Sequence, residues 1–267
     1  MEPETSGEPV QEEAAAAKNF FARLGGVYSS PREAFMEIGR APRLVVPLIA
    51  LLLISAFSGW YLLRKIDMSA ARQAQMERLV RSGRITETQM KQMLEDGNAA
   101  SADGTGASMA VMGIVGGSAA SLMFCLLIAG YGSLFSKMTG AKNGFKNLLE
   151  VSIYAMLAVS IVSTVLTVII LQLKGQGRIA VTDTNTIISS SLGTWITSVD
   201  GEDVLPAFVL KLSHAVDIFN IWIIALLSIG FSAVSYKLKT ASAALWLGGA
   251  YVVLYTINAA ISAFLGM

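Results

Sequence analysis

Few side chains in this sequence could carry out chemistry. One histidine and one cysteine occur among 267 residues, which excludes multi-histidine metal ligation, a cysteine-rich metal site and a disulfide framework. His214 and Asp217 are three residues apart and share a helical face, but two ligands do not complete a metal site. Cys125 lies in an apolar stretch, where a thiol acts as a small hydrophobe. We therefore predict no metal and no cofactor.

Two short motifs resemble parts of enzymes but lack the required context. The segment Gly116-Gly117-Ser118 lacks the glycine that would complete a nucleophile elbow, and its surroundings are apolar. Residues 175–180 match the pattern GxGxxA, but a dinucleotide-binding turn follows a strand within a βαβ unit, whereas an apolar stretch precedes this one. We therefore predict that the protein is not an enzyme.

The remaining candidates are polar groups in or beside long apolar stretches. A charge within a bilayer is costly and is often functional, but Glu150 and Asp217 each begin an apolar stretch, where a carboxylate stabilises the helix dipole. A structural role is therefore favoured for both, and Asp217 is expected to pair with a donor such as His214 or Lys211. The candidate polar site comprises Glu150, Tyr154, Ser160, Ser163, Thr167, His214, Asp217, Asn220, Trp222 and Asn258.

Hydroxyl side chains form a stripe at helical spacing in the third apolar stretch, at Ser160, Ser163, Thr164 and Thr167. Such a stripe usually faces the interior of a membrane bundle. It could line a water-filled path, or the hydroxyls could bond their own backbone, and packing is the favoured interpretation. Asn258, deeper in the fifth stretch, is expected to form a hydrogen bond with a neighbouring helix.

The overall composition indicates that these polar groups belong to a membrane protein. Hydrophobic residues make up 54% and charged residues 15%, whereas soluble domains carry about 25% charged residues, and the mean hydropathy is +0.58. The net charge of +1 offers no basic field for nucleic acid. Five stretches are long enough to cross the hydrocarbon core. We predict an all-α polytopic fold with spans near residues 44–63, 109–135, 150–173, 218–236 and 241–265.

The segments outside these spans differ in character. Residues 1–18 are predicted to be a disordered acidic tail. Within residues 19–43, Ser30, Pro31 and Glu33 predict a helix start with a capping box. That helix could pack on its own protein or lie against lipid headgroups. The extramembrane segments are 64–107, predicted to contain a helical hairpin whose second helix starts with a capping box at residues 86–89, and 174–217.

Small residues recur in the second span and predict close helix packing. Gly113, Gly117 and Ser121 are four residues apart, and Gly116 and Ala120 lie beside them. Such spacing lets helix backbones approach closely. Packing within the chain is favoured over a seam between two copies, although a homo-oligomer stays compatible with the pattern.

The order of several segments resembles the Yip family, whose name refers to interaction with Ypt/Rab GTPases, and most closely its bacterial branch. The similar segments are Ser29–Phe35, Pro42-Arg43 with Pro47, Gly140–Phe145 with Tyr154-Ala155, and Asp217–Trp222 running to Gly230. The resemblance covers about residues 19–265. It implies an all-helical domain of five spans with a cytoplasmic N-terminus, and it brings no catalytic residues.

Two functional hypotheses follow. The first is a non-enzymatic protein of the cell (inner) membrane that organises the bilayer, or a membrane or cytoplasmic protein partner. The alternative is a small transporter or channel that uses polar groups of spans three and four. Lysine and arginine residues near the span ends number eight on the proposed inside and nine outside, but the inner ones are concentrated in short loops. This concentration favours a cytoplasmic N-terminus and an external C-terminus.

Overall fold

The protein folds as a bundle of α-helices. The computed structural model describes residues 19–67, 85–93, 105–141, 144–173, 179–180, 216–235 and 237–265, with single positions among 73–83 and at 209 and 213. The predicted acidic tail and most of the predicted hairpin in 64–107 lie outside the described residues. The elements are α1 Phe20–Ser29, α2 Pro31–Arg40, α3 Val45–Lys65, β1 Ile66–Asp67, α4 Thr105–Thr139, α5 Phe145–Leu173, β2 Ile179–Ala180, α6 Ile218–Val234 and α7 Thr240–Leu265.

Four of these helices, α3, α4, α5 and α7, are long and apolar enough to cross a membrane. The fifth predicted span corresponds to α6, an apolar helix of 17 residues. At 1.5 Å per residue this helix is about 25 Å long, slightly less than the hydrocarbon core of about 30 Å. The predicted all-α, polytopic fold is confirmed.

Helix α5 is the centre of the bundle and contacts α1, α2, α3, α4 and α6. Its first half is almost wholly buried, from Leu148 to Val159. Around it, α3 pairs with α4 on one side, and α6 pairs with α7 on the other. The least covered of the four spanning helices is α7, where 11% of an 18-residue apolar window is buried, so most of that window is available to lipid.

Helices α1 and α2 form an antiparallel hairpin, hereafter the N-terminal hairpin (residues 20–40). Its apolar side buries Val27, Phe35 and Ile38 in the main core. The contacts of the hairpin follow α5 from Glu150 to Ala158, eight residues or about 12 Å along the helix. The hairpin therefore packs on its own protein, alongside the bundle helices. This is the first of the two interpretations that the sequence left open.

The connection between α1 and α2 differs from the predicted capping box. Pro31 occupies the first turn of α2 as expected, but the Ser30 side chain makes no cap hydrogen bond. Ser30 also ends α1, where its backbone N–H donates to the Gly26 carbonyl, and its ψ of 68° is not the extended conformation of a capping residue. The second predicted box is formed, since Thr86 and Gln89 exchange reciprocal hydrogen bonds.

A two-residue parallel pairing joins the segments that follow α3 and α5. Ile66 pairs with Ile179, and Asp67 pairs with Ala180. This short pair is an exception to the expected absence of sheet. It lies outside the membrane helices, so it leaves no strand exposed to lipid.

Candidate functional site

A cluster of charged side chains is buried where the N-terminal hairpin meets α5. Helix α1 contributes Arg23, α2 contributes Glu37, and the first turns of α5 contribute Glu150. Arg23 is 2% exposed and Glu150 is fully buried. Charged groups are almost never buried this completely unless they are paired, so this cluster is the most unusual polar feature among the described residues.

The geometry of the cluster ties three chain segments together. The Glu150 Oε1 atom accepts a hydrogen bond of 2.9 Å from the Arg43 backbone N–H and lies 3.7 Å from Arg23 Nη1. The same Nη1 donates to the Ala41 carbonyl at 2.9 Å, and Arg23 Nε lies 3.6 Å from Glu37 Oε1. One carboxylate therefore holds the start of α3 and the N-terminal hairpin against α5.

Three buried atoms of this cluster have no hydrogen-bond partner, namely Nε and Nη2 of Arg23 and Oε2 of Glu150. Ion pairing without full hydrogen bonding makes the cluster costly to bury, and removing one partner of such a pair is strongly destabilising. Tyr154, one turn further along α5, is 1% exposed, and its ring centroid lies 6.1 Å from that of Phe20. Tyr154 is thus buried beside the cluster, between α5 and α1.

The two ends of the N-terminal hairpin are held by further contacts with the bundle. Near its tip, the Tyr28 hydroxyl donates to the Ala158 carbonyl at 2.8 Å, and the Tyr28 ring lies 6.1 Å from the Trp222 ring. Burial raises the pKa of Tyr28 above its ordinary value, so the hydroxyl keeps its proton. At the open end, Asn147 Nδ2 donates to the Gly39 carbonyl at 3.2 Å.

Asp217 is the N-cap of α6. Its Oδ1 accepts hydrogen bonds from the backbone N–H groups of Phe219 and Asn220, at 2.7 and 3.3 Å, which is the helix-start role favoured by the sequence. His214 and Lys211, its expected donors, lie outside the described residues. Asn220 faces α7, where its side chain shares a hydrogen bond with Tyr251.

The structure places the hydroxyl stripe in local backbone bonding. The Ser163 hydroxyl donates to the Ser160 carbonyl at 3.2 Å, and the Thr167 hydroxyl donates to the Ser163 carbonyl at 2.8 Å. Thr164 is buried. These hydroxyls thus bond the backbone of α5 itself, which is one of the possibilities that the sequence left open.

The hydrogen bond predicted for Asn258 is not formed among the described residues. This residue is exposed on α7, and no hydrogen bond joins it to another described residue. The reason is helix length, because α7 has 26 residues whereas its neighbour α6 has 17. At 1.5 Å per residue, Asn258 lies about 27 Å from the start of α7, beyond the end of α6.

The small residues of the second span pack against α3 of the same chain. A Cβ atom added to Gly117 would lie 2.8 Å from the Ser55 carbonyl oxygen, and one added to Gly113 would lie 2.7 Å from that of Gly59. The Ser55 and Ser121 hydroxyls are 2.8 Å apart and buried. Gly117, Gly113 and Ser121 thus form a close seam with α3.

Gly116 and Ala120 do not belong to this seam, contrary to the prediction. Both are exposed, and a Cβ on Gly116 would meet nothing within 4 Å. Each lies one position before a seam residue. Because consecutive residues of a helix are rotated by about 100°, the two residues lie on a different face from the seam. The sequence also left the partner of the seam unnamed, although Ser55 and Gly59 have the same four-residue spacing.

The candidate polar residues therefore divide among separate places. Glu150 and Tyr154 belong to the charged cluster, Trp222 contacts the tip of the hairpin, and Asp217 and Asn220 lie at the start of α6. Arg23 and Glu37 were missed by sequence reasoning. The available signal was a lone arginine between Phe20 and Leu24 in an otherwise apolar helix. Within the described residues, no group of three His, Cys, Asp or Glu side chains could hold a metal ion.

Comparison with known proteins identifies the family of this bundle. No curated protein and no solved structure matches the chain. The family model of the Yip1 domain matches residues 25–261, from the middle of α1 to the last turns of α7. The match thus takes in Glu150, Glu37, the second half of α1, all of α2, the helices α3 to α6 and most of α7, whereas Arg23 lies just before it. Because it covers most of the chain, the protein belongs to the Yip1 family.

Proposed function

We propose that this protein is a non-enzymatic, multi-pass membrane protein that organises membrane or partner proteins. The observation that carries the proposal is the buried cluster of Arg23, Glu37 and Glu150, which clamps the N-terminal hairpin to the bundle. A hairpin held in one position is preorganised for binding, because little conformational entropy is lost when a partner docks.

The outer side of the hairpin has the character of a contact surface. Phe21 is 77% exposed and Met36 is 36% exposed, while the opposite side of each helix is buried in the core. Aromatic residues and methionine are enriched in protein interfaces. Arg32 and Glu33 are polar neighbours at the start of α2. This mixture suits a protein partner at the membrane surface.

The polar groups of the bundle support the same class of function. The hydroxyls of α5 bond their own helix, and Ser55 pairs with Ser121 between α3 and α4. Glu150 is occupied by Arg23 and Arg43. In the described part of the chain these polar groups are therefore engaged within one helix or between neighbouring helices, which supports a structural role over a role in transport.

The proposed location is the cell (inner) membrane, with the N-terminal hairpin on the cytoplasmic side and the C-terminus outside. Five crossings place the short connections after α4 and after α6 on the same side as the hairpin. These connections and the helix ends beside them carry Lys137, Lys146, Lys237 and Lys239, and such concentrated positive charge favours the cytoplasmic side.

The proposal is tested by photo-crosslinking in membranes of the cell that makes the protein. A photoreactive amino acid replaces Phe21 on the hairpin or, as the matched control, Leu173, which is 81% exposed at the other end of the bundle. We expect position 21, and not position 173, to capture the same discrete protein in repeated experiments.

A flux measurement tests the alternative function, that of a transporter. The purified protein is reconstituted in proteoliposomes, and ion and solute permeability is compared with that of empty vesicles. Equal permeability agrees with the proposed function. A saturable, selective flux together with no discrete crosslink at position 21 would overturn it in favour of a transporter.

A further inference from the structure

An apolar groove lies between α4, α6 and α7, away from the charged cluster. Helices α4 and α7 meet at one end, where the Tyr131 hydroxyl donates to the Trp246 carbonyl at 3.3 Å and the Phe135 and Trp246 ring centroids are 4.3 Å apart. Beyond this contact α6 forms the floor of a groove of about 850 Å³, a volume typical of a site for one small molecule.

The lining of the groove matches a hydrocarbon chain. Leu127, Leu245 and Leu254 line it and are 64% exposed or more in the isolated protein. Asn220, at the far end, is already engaged with Tyr251. The groove is formed by apolar helices, two of which are of membrane-spanning length, so it opens to the bilayer core, where a polar occupant would leave hydrogen bonds unsatisfied.

The length of the groove corresponds to one leaflet. Along α7 its lining extends from Leu245 to Leu254, nine residues or about 13.5 Å. Half of the hydrocarbon core is about 15 Å. The groove therefore accommodates the depth that one acyl chain occupies in a single leaflet.

Positive charge lies at the end of the groove where an attached headgroup would be. Tyr131 and Trp246 mark this end, and Lys137 and Lys239 lie six and seven residues from them, at the terminus of α4 and just before α7. Both lysine side chains are exposed. Basic residues beside a membrane helix attract anionic headgroups.

We propose that this groove is a lipid-binding site. It holds one acyl chain of a phospholipid whose anionic headgroup contacts Lys137 and Lys239. The bound lipid extends the packing between α4 and α7 beyond their contact at Trp246.

Adjacent glycines provide a matched pair of variants for the test. An added Cβ meets nothing within 4 Å at either Gly248 or Gly249, but only Gly249 lines the groove. Both Gly→Leu changes have the same effect on intrinsic helix propensity. The purified full-length protein is mixed with phosphatidylglycerol or phosphatidylcholine of identical chains, and bound lipid is measured by native mass spectrometry.

We expect the unmodified protein to retain one phosphatidylglycerol in preference to phosphatidylcholine. Gly249→Leu should weaken this binding about tenfold, equal to roughly 1.4 kcal/mol, whereas Gly248→Leu should not. The double variant Lys137→Gln/Lys239→Gln should bind the two lipids equally. Equal binding by both glycine variants, equal binding of the two lipids by the unmodified protein, or a dimer that only Gly249→Leu dissociates would overturn the proposal.

Discussion

Replacing Arg23 with methionine tests whether the buried cluster clamps the N-terminal hairpin. The change keeps a long side chain but removes the ion pair with Glu150 and the hydrogen bond to the Ala41 carbonyl. Glu150 then keeps only the hydrogen bond from the Arg43 backbone N–H. Because its side chain is fully buried, we expect a loss of about 3–5 kcal/mol, the usual result of leaving a buried charge unpaired.

Glu150→Gln perturbs the same cluster less. A glutamine oxygen can still accept from the Arg43 backbone N–H, and Arg23 keeps Glu37 and the Ala41 carbonyl. We expect a loss of about 1–3 kcal/mol. The double variant Arg23→Met/Glu150→Gln leaves no fully buried carboxylate without its ion-pair partner, so its loss should be smaller than the sum of the single losses, by about 0.5–3 kcal/mol.

The chain contains a natural probe for this measurement. Cys125 is the only cysteine in the sequence and is fully buried. It belongs to a small apolar cluster with Leu51 against which Phe20 and Leu24 of the hairpin pack. Reaction of Cys125 with a fluorogenic thiol reagent during heating in detergent therefore reports both release of the hairpin and unfolding of the bundle.

The midpoint of Cys125 labelling should fall by on the order of 10 °C in Arg23→Met. The midpoint should fall less in Glu150→Gln. In the double variant it should fall by less than the sum of the two single decreases. Wild-type midpoints for both single variants would refute the clamp. Strictly additive losses would show that Arg23 and Glu150 do not interact.

Three further predictions concern the bundle. Gly117→Leu should destabilise it by about 1–3 kcal/mol, because the seam with Ser55 leaves no room for a side chain, while Gly116→Leu should leave the Cys125 labelling midpoint unchanged; equal effects of the two would place the seam elsewhere. Asp217→Asn should accumulate normally in membranes, since asparagine caps a helix as well as aspartate does, and complete loss of the protein would instead indicate a required charge. A reporter that is active only in the cytoplasm should be silent when fused after Met267, and strong activity would invert the proposed topology.

The sequence by itself was sufficient to predict the class of fold and the elements of the bundle. Long apolar stretches can satisfy their backbone groups in a bilayer only as helices or closed barrels, so length and hydropathy alone predict where the membrane helices lie. The cap at Asp217, the box at Thr86 and Gln89 and the presence of closely packing small residues in α4 were also predictable. Each depends on residues within four positions of one another.

Only the tertiary structure decided which separate segments meet. Arg23 and Glu150 are 127 residues apart in sequence, and nothing local to either indicates the other. Helical periodicity likewise could not distinguish Gly117, which contacts α3, from Gly116, which faces outward. The failure at Asn258 has the same origin, because whether a polar group in an apolar helix finds a partner depends on the length of the neighbouring helix. Local sequence patterns determine which segments become helices and where their small or polar residues recur. Which other helix those residues contact depends on the packing of the whole bundle.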